Sequence, residues 1–147
     1  MMRLPPDFKE FLRLLISHRV EYLLIGGYAV GYHGYPRATG DMDIWVNPTP
    51  ENAARIVESL VAFGFSPSTV SADLFVKPHQ IVRMGVPPLR IELLTTLSGV
   101  EFWGCYERRR TDVLDGVQVS VISLEDLKVN KKAAGRLKDL ADLENLA

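Results

Sequence analysis

The stretch IGGYAVGYHGYPRATGDMDI, residues 25–44, decides how the rest of the chain is read. Ahead of it, Tyr22-Leu23-Leu24-Ile25 has the length and apolar character of a short buried strand, which stops at Gly26-Gly27. Tyr28 to His33 has room for one short helix, closed by Gly34 and Pro36. Beyond it, Met42, Ile44 and Val46 alternate with Asp41, Asp43 and Trp45, which is the period of a strand. Thirteen residues separate Gly27 from Asp41, enough for a helix, a loop and a return beside the first strand. Glycines at a strand-to-helix turn let backbone N–H groups approach phosphate oxygens. Asp41 and Asp43 leave the same face of their strand with Cα atoms roughly 6.5–7 Å apart. Two carboxylates there repel each other unless a positive charge lies between them, and an oxygen-preferring divalent cation such as Mg²⁺ suits them. A solvated strand end is the plainer account of a lone Asp-x-Asp.

Outward from this segment, Phe8, Phe11, Leu12, Leu15 and Ile16 follow helical spacing behind Pro5 and Pro6. Thr49-Pro50 is a helix start, Ile56, Val57, Leu60 and Val61 its apolar stripe, and Gly64 its stop. Two strands are expected at 80–84 and 89–95, separated by Gly85 and Pro87-Pro88. A short helix follows at 101–109 and a strand at 117–122, after the Asp115-Gly116 turn. Ser123 to Asp126 resembles a capping box for a helix through Ala134, which Gly135 ends. Leu137, Leu140 and Leu143 or Leu146 mark a last helix. Helices alternate with strands, but the strand pairs look like hairpins. The expected fold class is therefore α/β (α+β), a mixed sheet flanked by helices in one domain spanning 1–147.

Glu92, between Ile91 and Leu93, is a third acid, and an acid inside an apolar strand needs a partner. A salt bridge to Arg90 on the same strand face is one account. Completion of a three-carboxylate metal site with Asp41 and Asp43 is the other.

Ile25-Gly26-Gly27, the thirteen-residue interval, Asp41-Met42-Asp43-Ile44 and the later Ile91-Glu92-Leu93 together resemble the signature of the nucleotidyltransferase superfamily. Gly26-Gly27-Tyr28-Ala29, the run Arg37 to Ile44, and the late run Asn130 to Leu143 are similar to its AbiEii-like branch of toxin and antitoxin nucleotidyltransferases. The resemblance implies a nucleotidyltransferase fold and two-metal transfer of a nucleoside monophosphate from a nucleoside triphosphate to a hydroxyl on RNA, protein or a small molecule. It implies Asp41, Asp43 and Glu92 as catalytic ligands of Mg²⁺ or Mn²⁺, with Glu92 serving the acceptor side. Gly26, Gly27, Arg37, Thr39, Lys131 and Lys138 become nucleotide-binding candidates, Lys131 facing the cleft and Lys132 facing water. The chain is close to a minimal catalytic domain, so base recognition is expected to be loose or completed by a second chain. An antitoxin-like protein that keeps the fold and acts by binding a toxin or other partner chain is the alternative, and a metal-dependent phosphohydrolase a third.

Composition narrows the choice. Seventeen Lys and Arg against eighteen Asp and Glu give a net charge of −1 and a pI near 6.3, which excludes a general polyanion binder. Arg108-Arg109-Arg110, the densest basic run, reads as a solvated helix end, with contact to an RNA acceptor as the other account. One cysteine, Cys105, allows no internal disulfide and fits a reducing, cytoplasmic compartment. The longest apolar run, Tyr22 to Val30, is too short to cross a membrane, and charges at Asp7, Lys9, Glu10 and Arg13 speak against a signal peptide. His18, His33 and His79 lack metal-ligand spacing. Trp45 shares the strand face of the two aspartates and reads as core, with a wall of the cleft or a base-stacking surface as the other account.

Overall fold

The computed structural model describes residues 3–36, 39–86 and 89–146. Six strands form one mixed sheet: β1 (Tyr22–Ile25), β2 (Asp41–Val46), β3 (Ile81–Val86), β4 (Leu89–Leu94), β5 (Arg110–Leu114) and β6 (Val117–Val121), in the spatial order β3-β4-β2-β1-β6-β5. The β1–β2, β3–β4 and β5–β6 pairs are antiparallel, whereas β2–β4 and β1–β6 are parallel. The strand pairs expected within 80–95 and 112–122 are both antiparallel, and the expected Pro87-Pro88 turn lies outside the described residues. Gly85, expected as part of the turn, lies inside β3 at φ +90°, where a Cβ would stand 2.9 Å from the Leu89 carbonyl oxygen.

One sheet face is apolar. Met42, Ile44 and Val46 are fully buried on it, and Ile91 and Met84 continue the row across β4 and β3. Helices α1 (Pro6–Ser17) and α3 (Pro50–Phe63) cover this face. Pro6 opens α1, where a missing N–H costs nothing. Phe8, Phe11, Leu12 and Leu15 form its buried side, while Ile16 is turned half outward. Thr49 caps α3 by accepting from the Asn52 N–H at 3.3 Å. The buried side of α3 is rotated from the aliphatic stripe toward Asn52 and Ser59. Asn52 explains the rotation: its Oδ1 accepts from Glu21 N at 2.7 Å and its Nδ2 donates to the Glu21 and Asn47 carbonyls, tying the start of β1 to the end of β2.

The other face carries Asp41, Asp43 and Trp45, and α2 (Gly26–Tyr32), α4 (Phe102–Glu107), α5 (Leu124–Ala134) and α6 (Leu137–Asn145) complete the domain. Trp45 is 1% exposed and meets Phe102 edge-on at 5.1 Å, a core role as expected. Ser123 caps α5 through the Asp126 N–H, and Gly135 ends it at φ +67°. Helix α6 is present as expected, but its leucines divide: Leu137 is 88% exposed and Leu140 43%, Leu146 just beyond it is buried, and Asp139 and Asp142 face inward. The inward face is polar because a buried lysine from α5 needs counter-charges there, and an unpaired buried charge costs more than exposed leucines. Among the described residues no helix is long and apolar enough to cross a membrane.

Candidate functional site

The strand-to-helix turn is built by close approach. Ile25 is extended, Gly26 takes φ +65°, and α2 begins at once. A Cβ on Gly26 would be driven into the Asp43 carboxylate, and one on Gly27 would lie 3.0 Å from the Thr39 side chain. The two glycines thus allow the end of β1 to press against both acid-bearing and threonine-bearing chain. Thr39 stays beside β2 by donating its Oγ1–H to the Asp41 carbonyl at 3.2 Å.

Parallel pairing of β2 with β4 sets Asp41 opposite Arg90 and Asp43 opposite Glu92. All three acids stand on one face of two neighbouring strands; spacing had placed Asp41 and Asp43 together, and the β2–β4 register adds Glu92. Arg90 grips Asp41 with a fork, Nε to Oδ1 and Nη2 to Oδ2, both at 3.1 Å. Glu92 accepts instead from Arg83 of β3 at 3.0 Å, so its bridge is not to Arg90. Asp43, between them, has no ion pair among the described residues, and its Oδ1 is buried without a hydrogen-bond partner. Burial, the neighbouring Glu92 and Asp41, and a hydrogen bond shared with Glu92 push the Asp43 carboxyl up to about 6, with Lys138 pulling the other way.

Among the described residues no three such side chains converge closely enough, as they stand, to hold a metal ion. Arg90 occupies Asp41 and Arg83 holds Glu92, while Glu92 stays within hydrogen-bond reach of Asp43. The donor chemistry nevertheless fits a hard cation, being oxygen only, with one buried carboxylate oxygen lacking any partner.

A cavity of about 410 Å³ opens over Asp41 and Asp43, lined by them with Gly26, Gly27 and Thr39 and by Asn130, Lys131, Arg136 and Lys138; Glu92, opposite Asp43, is not among its lining residues. Lys131 reaches the wall but is 4% exposed, and its ammonium is taken by Asp139 at 3.2 Å and Asp142 at 3.1 Å. Lys132 is exposed, so the helical register is the expected one. Arg136 donates Nε to Asp139 at 2.6 Å. Burial alone would raise the Asp139 carboxyl, but hydrogen bonds from Arg136 and Lys131 hold it below the usual range. Lys138 is exposed at the rim. Arg37, the remaining candidate, lies outside the described residues.

Arg90, Arg83, Arg136 and Asn130 were not singled out for this site in sequence. Strand parity placed Arg90 and Glu92 on one face, but only the β2–β4 register puts Arg90 opposite Asp41. The basic run is absorbed into structure: Arg108 forks onto Asp126 at 3.0 Å, and Arg109 stacks 4.0 Å from the Tyr106 ring centre. Cys105 is fully buried, and burial together with Asp126 pushes its thiol up to about 11, which leaves it inert.

No family model matches the chain, and no curated protein matches it. Among solved structures, a crystal structure from Thermotoga maritima of a "putative nucleotidyltransferase" is similar with a TM-score of 0.62, covering 98% of this chain and 92% of that chain at 16% sequence identity. The likeness shows the fold: a mixed α/β domain of nucleotidyltransferase type.

Proposed function

We propose that this chain is a divalent-cation-dependent nucleotidyltransferase that moves a nucleoside monophosphate from a nucleoside triphosphate to a hydroxyl acceptor. The carrying observation is the acid row, in which a buried, unpartnered Asp43 oxygen stands between Asp41 and Glu92, and Asp41 and Asp43 share a cavity with cationic side chains. Asp41, Asp43 and Glu92 would hold Mg²⁺ or Mn²⁺, which when bound supplies charge to stabilise phosphoryl oxygens and acidify the acceptor hydroxyl. Thr39, Lys138 and Arg136 face the same cavity and would bind triphosphate oxygens, with Gly26 and Gly27 permitting close backbone approach. Lys131 would act from behind, keeping Asp139 and Asp142, and through Asp139 the Arg136 guanidinium, in place. The acceptor oxygen would bond to the α-phosphorus as the bond to the bridging oxygen breaks. The acceptor's proton would pass to Glu92, and pyrophosphate would leave with the electron pair. The late run Asn130 to Leu143 supports placement in the AbiEii-like branch.

Incubation with each labelled nucleoside triphosphate, Mg²⁺ or Mn²⁺, and total RNA or lysate protein tests the reading. Label transfer with pyrophosphate release, lost in Asp43→Asn, supports it. Absence of both transfer and triphosphate binding refutes it. The antitoxin-like alternative draws on the outward Leu137 and Leu140 of α6, an apolar face that a partner chain would cover.

A further inference from the structure

We infer that Arg90 is a positioning residue that latches Asp41, so that the Asp41–Arg90 pair and a divalent cation on Asp41 exclude each other. The inference rests on the nucleotidyltransferase reading for the identity of the cation site, but its own basis is the geometry of the acid row. The β2–β4 ladder places Arg90 directly across from Asp41, and the Arg90 N–H donates to the Gly40 carbonyl at 3.0 Å, so the arginine backbone is fixed at that spot. Its guanidinium then takes both Asp41 oxygens at 3.1 Å. A fork on a carboxylate takes one lone pair of each oxygen, which blocks a cation from bridging both on that side, and adds a positive charge beside them. Arg83 holds Glu92 by one contact from a side chain that is 58% exposed, which is a weaker hold. Asp43 is left without either, and among the described residues no three acids converge as they stand. A cation that uses Asp41 together with Asp43 therefore has to open the fork first.

Cation affinity should accordingly rise when the fork is removed, the opposite of what loss of a merely supporting residue does. Mn²⁺ titration calorimetry on the full chain without nucleotide, at fixed ionic strength, compares the parent with Arg90→Gln, Arg90→Lys and Asp43→Asn. Removing the fork should tighten Mn²⁺ binding roughly fivefold, given the partial exposure of the pair. Arg90→Lys keeps the charge but cannot occupy both oxygens, so it should recover most of that gain. A gain in Arg90→Gln with none in Arg90→Lys would mean bulk charge and overturn the latch. Equal or weaker binding in both arginine variants, with the parent's binding still abolished by Asp43→Asn, would overturn the latch and leave the functional reading standing. Absence of Mn²⁺ binding in the parent and both arginine variants would overturn both. Thermal melts check folding, and Arg90→Lys decides the question if Arg90→Gln does not fold.

Discussion

Asp43→Asn should make the cation-free protein more stable at neutral pH, which is unusual for a residue at the centre of a site. The Asp43 carboxyl is pushed up to about 6 by burial and by Glu92 and Asp41, against an unfolded value near 3.8. A raised folded-state value means that the folded protein prefers the protonated form. The associated stabilisation is complete below about pH 4 and is lost as pH rises through about 6, because ionising Asp43 beside two acids opposes folding. A shift of about two units corresponds to at most about 3 kcal/mol, and sharing of the proton with Glu92 reduces what one substitution recovers to about 1–3 kcal/mol. For a domain of this size that is a rise of roughly 2–10 °C in Tm. The assay is thermal unfolding of parent and variant at pH 4.5 and 8 with a chelator present. The variant should melt near the parent at pH 4.5 and clearly above it at pH 8. Added Mn²⁺ should then raise the parent at pH 8 and leave the variant unmoved. A variant that melts at or below the parent at pH 8, with the same pH dependence, would refute the electrostatic account of this carboxylate.

Glu92→Gln should spare triphosphate binding while abolishing transfer, read as a loss in kcat with little change in nucleotide affinity, because Glu92 is assigned to the acceptor side. Gly26→Ala should destabilise the fold and remove cation binding together, because φ +65° and the Asp43 carboxylate leave no place for a Cβ; calorimetry with a melt reads both. Lys131→Ala should cost about 3–5 kcal/mol in denaturant unfolding by leaving Asp139 and Asp142 buried without their shared cation, whereas Lys132→Ala should be nearly silent.

Much of this arrangement was legible in the linear sequence because its signals are local. Alternation placed Asp41, Asp43 and Trp45 on one face, Thr49 and Ser123 announced helix starts, and Gly64 and Gly135 announced stops. Long-range register was not legible, since nothing near Glu92 states which residue of a distant strand will lie opposite it. The arginine partners follow from that register alone, which is why Glu92 meets Arg83 and Arg90 meets Asp41. The leucines at 137, 140 and 143 or 146 marked helix α6 but not its inward face, which is decided by a buried lysine on the preceding helix that needs two carboxylates.

That constraint also ties the two sides of the cavity into one electrostatic problem. A buried lysine between two aspartates is seldom the most stable way to join helices, because apolar side chains of similar volume often do as well or better. Here the same Asp139 that accepts from Lys131 also accepts from the Arg136 backbone and guanidinium, so the α5–α6 junction fixes a cation at the cavity wall. Across the cavity, the acid row keeps a central carboxylate unpaired and lets arginines hold the outer two. One wall therefore presents positive charge pinned by buried acids, and the other presents negative charge pinned by half-exposed arginines. A polyanion carrying its own divalent cation complements both walls at once, whereas a bare anion or a bare cation complements only one. On the proposed function, this charge pattern would suit a metal-complexed triphosphate better than either component alone, and the junction of α5 with α6 would supply the cationic half of that fit.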